Sequence, residues 1–307
     1  MTARTRVHPR KTPKRARRPA PGLRAIAVAA ALVIVVVTAT VLFLRDTGAL
    51  SSPPALAPTM KHVHGVGLDP GSNHVYAATH QGLFRLSSLE APQQVADRAH
   101  DFMGFTILGP NHFLASGHPE SEADGPSPSG LLETRNGGET WSLLSLAGQA
   151  DFHVLQARHG QVYGYNSMTG ALMVTSNMKD WDTRAALNLA DFAVSPRDPD
   201  LLVATTEDGL LRSRDGGRSF APMRGPRLLL ISWADDGTIV GATPDGTVQL
   251  STDQGNSWNA GGTLKGPPAA LEAVSGNDIY TATDGAVWQS HDSGQTFSAV
   301  AGSKQPT

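Results

Sequence analysis

Residues Ser213-Arg214-Asp215-Gly216-Gly217-Arg218-Ser219-Phe220 decide the fold, because the chain keeps returning to them. Ser251-Thr252-Asp253-Gln254-Gly255-Asn256-Ser257-Trp258 and Ser290-His291-Asp292-Ser293-Gly294-Gln295-Thr296-Phe297 repeat the pattern. Thr134-Arg135-Asn136-Gly137-Gly138-Glu139-Thr140-Trp141 repeats it with Asn in place of Asp. A shorter copy, Thr175-Ser176-Asn177-Met178-Lys179-Asp180-Trp181, lacks the glycine. The closing aromatics fall at 141, 181, 220, 258 and 297, in steps of 40, 39, 38 and 39 residues. So constant a period marks a repeat architecture. Ser/Thr and Asp side chains bond the backbone of a tight turn. Glycine takes the positive φ that the turn needs, and the aromatic adds a large apolar surface.

These stretches resemble the Asp-box, or BNR repeat, of the sialidase and sortilin β-propellers, in register over residues 60–301. The resemblance implies an all-β fold in which the box is a structural turn without catalytic residues. A further unit precedes the first box. His74–Leu86 (HVYAATHQGLFRL) parallels Leu201–Ser213 (LLVATTEDGLLRS). First strands starting near His62, Asp101, Asp151, Leu189, Leu228 and Ala269 divide the chain into six units. Each reads as four short strands separated by Gly, Asn, Asp and Pro turns. The expectation is a six-bladed β-propeller, whose closure protects the sheet edges.

The 307 residues are 17 % charged and 40 % hydrophobic, as in ordinary folded proteins, and none is cysteine. That excludes disulfides and thiolate metal ligands. The net charge of −2 hides a split: residues 1–24 hold nine Lys/Arg and no acid, leaving −11 for the rest. Ala25–Leu44 is an uncharged, mostly apolar run of 20 residues. As a helix it spans about 30 Å, a bilayer's hydrocarbon thickness. The basic arm before it could suggest nucleic acid, but the apolar run argues otherwise; together they favour a cytoplasmic N-terminus and an extracytoplasmic propeller. A cleaved signal peptide is the rival reading; its apolar region is usually about 7–15 residues long. Residues 45–59, rich in Pro, Ser and Ala, read as a linker. The expected order is therefore a basic arm (1–24), a single-pass cell-membrane anchor (25–44), the linker (45–59), the propeller (60–301) and a short tail (302–307).

Propeller topology brings the starts of the inner strands and the ends of the second strands to one mouth of the channel. Met60, His62 and His64 open the first unit, Asp101 and Met103 the second, and Asp151 and His153 the third. Simple strand alternation places each set on one face. His80 and His118 end the second strands of the first two units, where later units carry Ser167, Thr206, Pro244 and Asp284. Residues 119–130 form the longest loop of any unit and follow His118 onto the same mouth. Such loops commonly carry function. Imidazole with carboxylate suits zinc, nickel or copper, and thioether shifts the balance towards copper. His62, His64, His80, His118, Met60 and Met103 are thus candidate ligands for copper or zinc, with His153 in the same ligand-binding face. A non-metal ligand pocket, for a glycan or a protein, and histidines that serve only the fold are the alternatives. His74, His100, His112, His159 and His291 are assigned no role.

The resemblance also raises glycoside hydrolysis. Sialidases of the family use three arginines, one in a Phe/Tyr-Arg-Ile-Pro motif, and a Tyr–Glu pair. This chain has no Arg-Ile-Pro, and Tyr76, Tyr163, Tyr165 and Tyr280 fall in second strands. Sialidase activity is therefore not expected. A different glycoside hydrolase remains the alternative, with Asp101 and Asp151 as its paired carboxylates about 5–9.5 Å apart. Against it, Asp101, Asp151 and Asp191 are each followed by Phe, which reads as a repeat feature closing the connection between units. The main expectation is a binding or assembly module.

Overall fold

The computed structural model describes residues 60–87, 91–96, 100–283 and 285–300. The expected arm, anchor, linker and tail lie outside the described residues. Among the described residues no helix is long and apolar enough to cross a membrane. The described residues all fall in one compact unit, Ala57–Thr307, which holds the fold.

Among the described residues twenty-four strands form six four-stranded antiparallel sheets, each built from four consecutive strands. The first strand of each sheet is the innermost. These are β1 (Val63–Leu68), β5 (Asp101–Gly109), β9 (Phe152–Arg158), β13 (Asp191–Val194), β17 (Leu230–Trp233) and β21 (Ala270–Ala273). Each packs beside the next, and β21 packs beside β1, so the ring closes. The six-bladed propeller read from the repeat period is the fold. Among the described residues, the last blade meets the first by side-chain packing, and no sheet combines strands of both.

The core is correspondingly divided. Six apolar clusters fill the six interfaces between neighbouring blades. Phe102, Phe105 and Phe113 pack against Tyr76 and Leu83 between the first two blades. Met60 and Val63 pack with Tyr280, Val287 and Val300 where the last blade meets the first. A blade alone is a single sheet that buries neither face, so the ring is needed to dry every wedge.

The eight-residue turns join the third and fourth strands of their blades, as the repeat pattern predicts. In the fourth blade, Ser213 Oγ donates to Asp215 Oδ1 and accepts from Gly217 N. Asp215 Oδ1 in turn accepts from the backbone N–H groups of Arg218 and Ser219. The fifth and sixth blades repeat the arrangement around Asp253 and Asp292. Hydrogen bonds from Ser257 and Thr296 hold these two carboxyls down to about 2. In the shortened copy, Met178 N takes the Gly217 role and donates to Thr175 Oγ1.

Two consecutive left-handed positions explain the glycines. The first is held by Gly137, Gly216, Met178, Gln254 and Ser293, with φ from 60 to 70°. The second is glycine wherever the turn is complete, because it touches the preceding blade. A Cβ on Gly138 would lie 2.4 Å from Leu83 Cδ2, and one on Gly217 would lie 2.7 Å from Leu172 Cδ2. The closing aromatics enter the same wedges: Trp141 packs, tilted, on Phe102 with ring centroids 5.0 Å apart, and Trp181 stacks on Phe152 at 4.8 Å while its Nε1 donates to Ser145 of the preceding blade. Each turn therefore latches its blade to the one before.

Candidate metal centre at the channel mouth

Three inner strands carry an extra residue near their start. β1 pairs Val63 with Thr79 and Gly65 with Ala78, skipping His64. β5 pairs Phe102 with Gly117 and Gly104 with Ser116, skipping Met103. β9 pairs Phe152 with Asn166 and Val154 with Tyr165, skipping His153. The corresponding pairings of β13, β17 and β21 run in unbroken register. A bulge re-aims the side chain it carries. His64, Met103 and His153 thus hold equivalent bulge positions in the first three blades.

Around these bulges the histidines and carboxylates meet. One donor atom from each of His64, His80 and Asp101 can be chosen so that all lie within 4.8 Å of one another. His80 stacks on His64, with centroids 4.6 Å apart, and His62 lies against His80 at 4.9 Å. His80 Nδ1 stands 3.7 Å from Asp101 Oδ2. One blade further on, His118 Nε2 stands 3.6 Å from Asp151 Oδ2, and His153 Nε2 is 2.9 Å from the same oxygen. The two arms are continuous, since His64 is influenced by the charge of His153 as well as those of His80 and His62.

The electrostatics keep the site in a ligand-ready form. Burial, followed by the charges of His80, His153 and His62, pushes the His64 imidazole down to about 4. It is neutral at physiological pH, as a metal-binding imidazole must be. Burial would raise the Asp151 carboxyl, but the His153 hydrogen bond, the charges of His153 and His118, and the Ser167 hydrogen bond outweigh it. The carboxyl settles below the ordinary range. His64 Nε2, Asp101 Oδ1 and Asp151 Oδ1 are buried atoms without a hydrogen-bond partner. Such atoms cost free energy unless something else satisfies them.

Asp191 provides an internal control. It opens β13 as Asp101 opens β5, and it too precedes Phe. Its Oδ1 accepts from Phe192 N and its Oδ2 from Ile231 N of the next blade, so both oxygens serve the fold. The Asp-Phe repeat is structural here, as the sequence reading allowed. Asp101 and Asp151 depart from it and turn oxygens towards histidines.

Not every expected ligand joins. Met60 is 4 % exposed inside the wedge between the last and first blades. Simple alternation from Met60 fails because His62 adopts left-handed backbone (φ 52°) and His64 is bulged. Alternation from Asp101 to Met103 also breaks at a bulge, yet the bulge gives Met103 the register position of His64 and His153. Ser127 and Ser167 were not foreseen. Ser127 Oγ lies 3.0 Å from His118 Nδ1, and Ser167 donates to Asp151 Oδ2. Ser127 belongs to the long loop after His118, whose length was the sequence signal. The histidines set aside pair elsewhere, His112 with Glu133 and His291 with Asp278.

No family model matches the chain, and no curated protein matches it. Solved structures do share its fold. A GH74 enzyme from Niastella koreensis superposes with a TM-score of 0.58 at 14 % identity, over 80 % of this chain and 46 % of that one. The chain thus spans about half the length of that enzyme. A gluconolactonase from Xanthomonas campestris gives 0.60 at 10 % identity, over 75 % of this chain and 86 % of that one. YCF48 bound to D1 peptide gives 0.50 at 19 %, over 80 % and 82 %. At these identities the likeness speaks for the fold: the chain is a six-bladed β-propeller.

Proposed function

We propose that the chain is a membrane-anchored, extracytoplasmic propeller of the Asp-box type whose channel mouth binds a transition metal, as a binding or assembly module. The observation that carries this reading is the convergence of His64, His80 and Asp101, with buried oxygen and nitrogen atoms left unpaired. Two donors about 2.0–2.1 Å from a tetrahedral ion sit about 3.4 Å apart. The 3.7 Å between His80 Nδ1 and Asp101 Oδ2 is near that edge and too long for a hydrogen bond. Two imidazoles and one carboxylate suit zinc and copper(II) alike, and three protein ligands leave a coordination position for a partner group. The Asp-box assignment is supported by the turn hydrogen bonds around Asp215, Asp253 and Asp292. The anchor reading rests on residues 25–44 and the basic arm before them.

The second reading is a glycoside hydrolase using Asp101 and Asp151. It is favoured by their position in adjacent blades, each with a buried, unpaired oxygen. Fold does not decide between the two, since similar structures include named enzymes and a peptide complex. In that reading Asp151, held below the ordinary carboxyl range by His153, His118 and Ser167 against its burial, would be the ionised member of the pair.

The deciding experiment is elemental analysis of the full chain, extracted from membranes without tag or chelator, beside a His64→Ala/His80→Ala variant. Zinc or copper in the parent, and a lower metal content in the folded variant, is the expected result. A metal-free parent that stays so after loading, but cleaves a glycan and stops on Asp101→Asn, would replace this reading with the hydrolase.

A further inference from the structure

The site at His64, His80 and Asp101 is assembled from three repeat positions: the bulge of one blade, the end of its second strand, and the first residue of the next blade. Moving each by one blade gives Met103, His118 and Asp151. The next bulge adds His153, whose Nε2 is 2.9 Å from Asp151 Oδ2. Moving once more gives His153, Ser167 and Asp191, and there the pattern ends, because Asp191 is spent on backbone N–H groups. The repeat therefore offers this constellation twice.

We propose that His118, Asp151 and His153, with Met103 at the intervening bulge, form a second transition-metal seat beside the first. This rests on the metal reading of the channel mouth and extends it from one ion to two. Three observations support it. His118 Nε2 and Asp151 Oδ2 are 3.6 Å apart, matching the 3.7 Å of His80 and Asp101, and neither distance is a hydrogen bond. Asp151 is only 7 % exposed, and its Oδ1 has no partner. His118 is oriented from behind: its Nδ1 bonds Ser127 Oγ at 3.0 Å, leaving Nε2 for the ion. Such support from a group behind the ligand is the usual way a metal-binding imidazole is held.

The two seats differ in hardness. The first has no thioether position in its set, while the second has Met103 in the register of His64. Two imidazoles, a carboxylate and a thioether favour copper over zinc. Asp151 Oδ2 is already engaged by His153 Nε2 at 2.9 Å and by Ser167 Oγ at 3.1 Å, so the unpaired Oδ1 is the oxygen left for an ion.

The test is metal stoichiometry on the full, untagged chain in detergent, titrated with Cu²⁺ and with Zn²⁺ against a competing chromophoric chelator. The parent is expected to bind two Cu²⁺. His118→Ala/His153→Ala and, as a size-preserving check on folding, Asp151→Asn are each expected to bind one, as is His64→Ala/His80→Ala. In the doubly loaded parent the Cu²⁺ electron paramagnetic resonance spectrum should show dipolar broadening that each variant loses. A parent binding one ion, retained by the His118/His153 and Asp151 variants, would overturn the second seat and leave the first intact. A single ion lost from every variant would also overturn it, by showing one site shared between both arms. A parent binding no ion would remove both seats together.

Discussion

The Nδ1 atom of His80 stands 3.7 Å from Oδ2 of Asp101, across the boundary between the first and second blades. The separation is too long for a hydrogen bond and close to the edge of a metal coordination shell. Asp101→Asn removes the negative charge while keeping shape. It should weaken zinc binding about tenfold or more, a loss of about 1.4 kcal/mol. Isothermal titration of the folded variant checks this, and unchanged affinity would show that Asp101 is not a ligand.

The inter-blade latch makes a sharp distinction between neighbouring glycines. Gly138→Ala meets Leu83 Cδ2 at 2.4 Å with φ at +96°. Overpacking of this kind costs about 1–3 kcal/mol, beyond about 1–2 kcal/mol for the left-handed backbone. Gly216→Ala bears only the backbone cost. Its Cβ would meet the flexible end of Arg184, and Gln254 and Ser293 already hold the same conformation. Thermal unfolding should therefore show a larger drop in Tm for Gly138→Ala than for Gly216→Ala.

The turn carboxylates predict an acid limb in stability. Asp253 and Asp292 lie at about 2 in the folded chain against an ordinary 3.8. A depressed folded pKa contributes stability above the unfolded value and loses it as pH falls through the folded one. Tm should fall between about pH 4 and pH 2. In the Asp253→Asn/Asp292→Asn variant that fall should be shallower. Asn is a compatible replacement, because Asn136 already accepts from Thr140 N in the second blade.

Glu272 on β21 has the opposite sign. Burial, partly offset by Arg158 and reinforced by Asp235 and Asp191, pushes its carboxyl up to about 7 from an ordinary 4.5. A raised folded pKa leaves stability intact below the unfolded value and removes it as pH rises through the folded one. Glu272→Gln should therefore gain in Tm over the parent at pH 8 more than at pH 4. A pH-independent difference would contradict the assignment.

The fold was legible because its period is long, regular and marked by residues with fixed conformational duties. A turn that needs Ser/Thr, Asp/Asn, Gly and an aromatic at set spacings announces itself four times in full and once in shortened form. The clustering of His64, His80 and Asp101, and of His118, Asp151 and His153, was legible from their repeat positions. What the sequence did not disclose was the bulge. One inserted residue changes no composition and no period, yet it breaks the alternation from which Met60 and Met103 were placed. Met60 went to the core and Met103 to the position of His64. Nor does the dipeptide Asp-Phe distinguish Asp191, whose oxygens cap backbone N–H groups, from Asp101 and Asp151. That difference comes from pairing register and the neighbours across the blade boundary.

The transition metal proposed between His64, His80 and Asp101 can be located by anomalous diffraction from crystals of the zinc-loaded protein, recorded on both sides of the zinc absorption edge. An anomalous peak bounded by those three side chains is expected. A zinc-loaded crystal with no peak there, or with zinc only at surface histidines such as His291, would contradict the proposal.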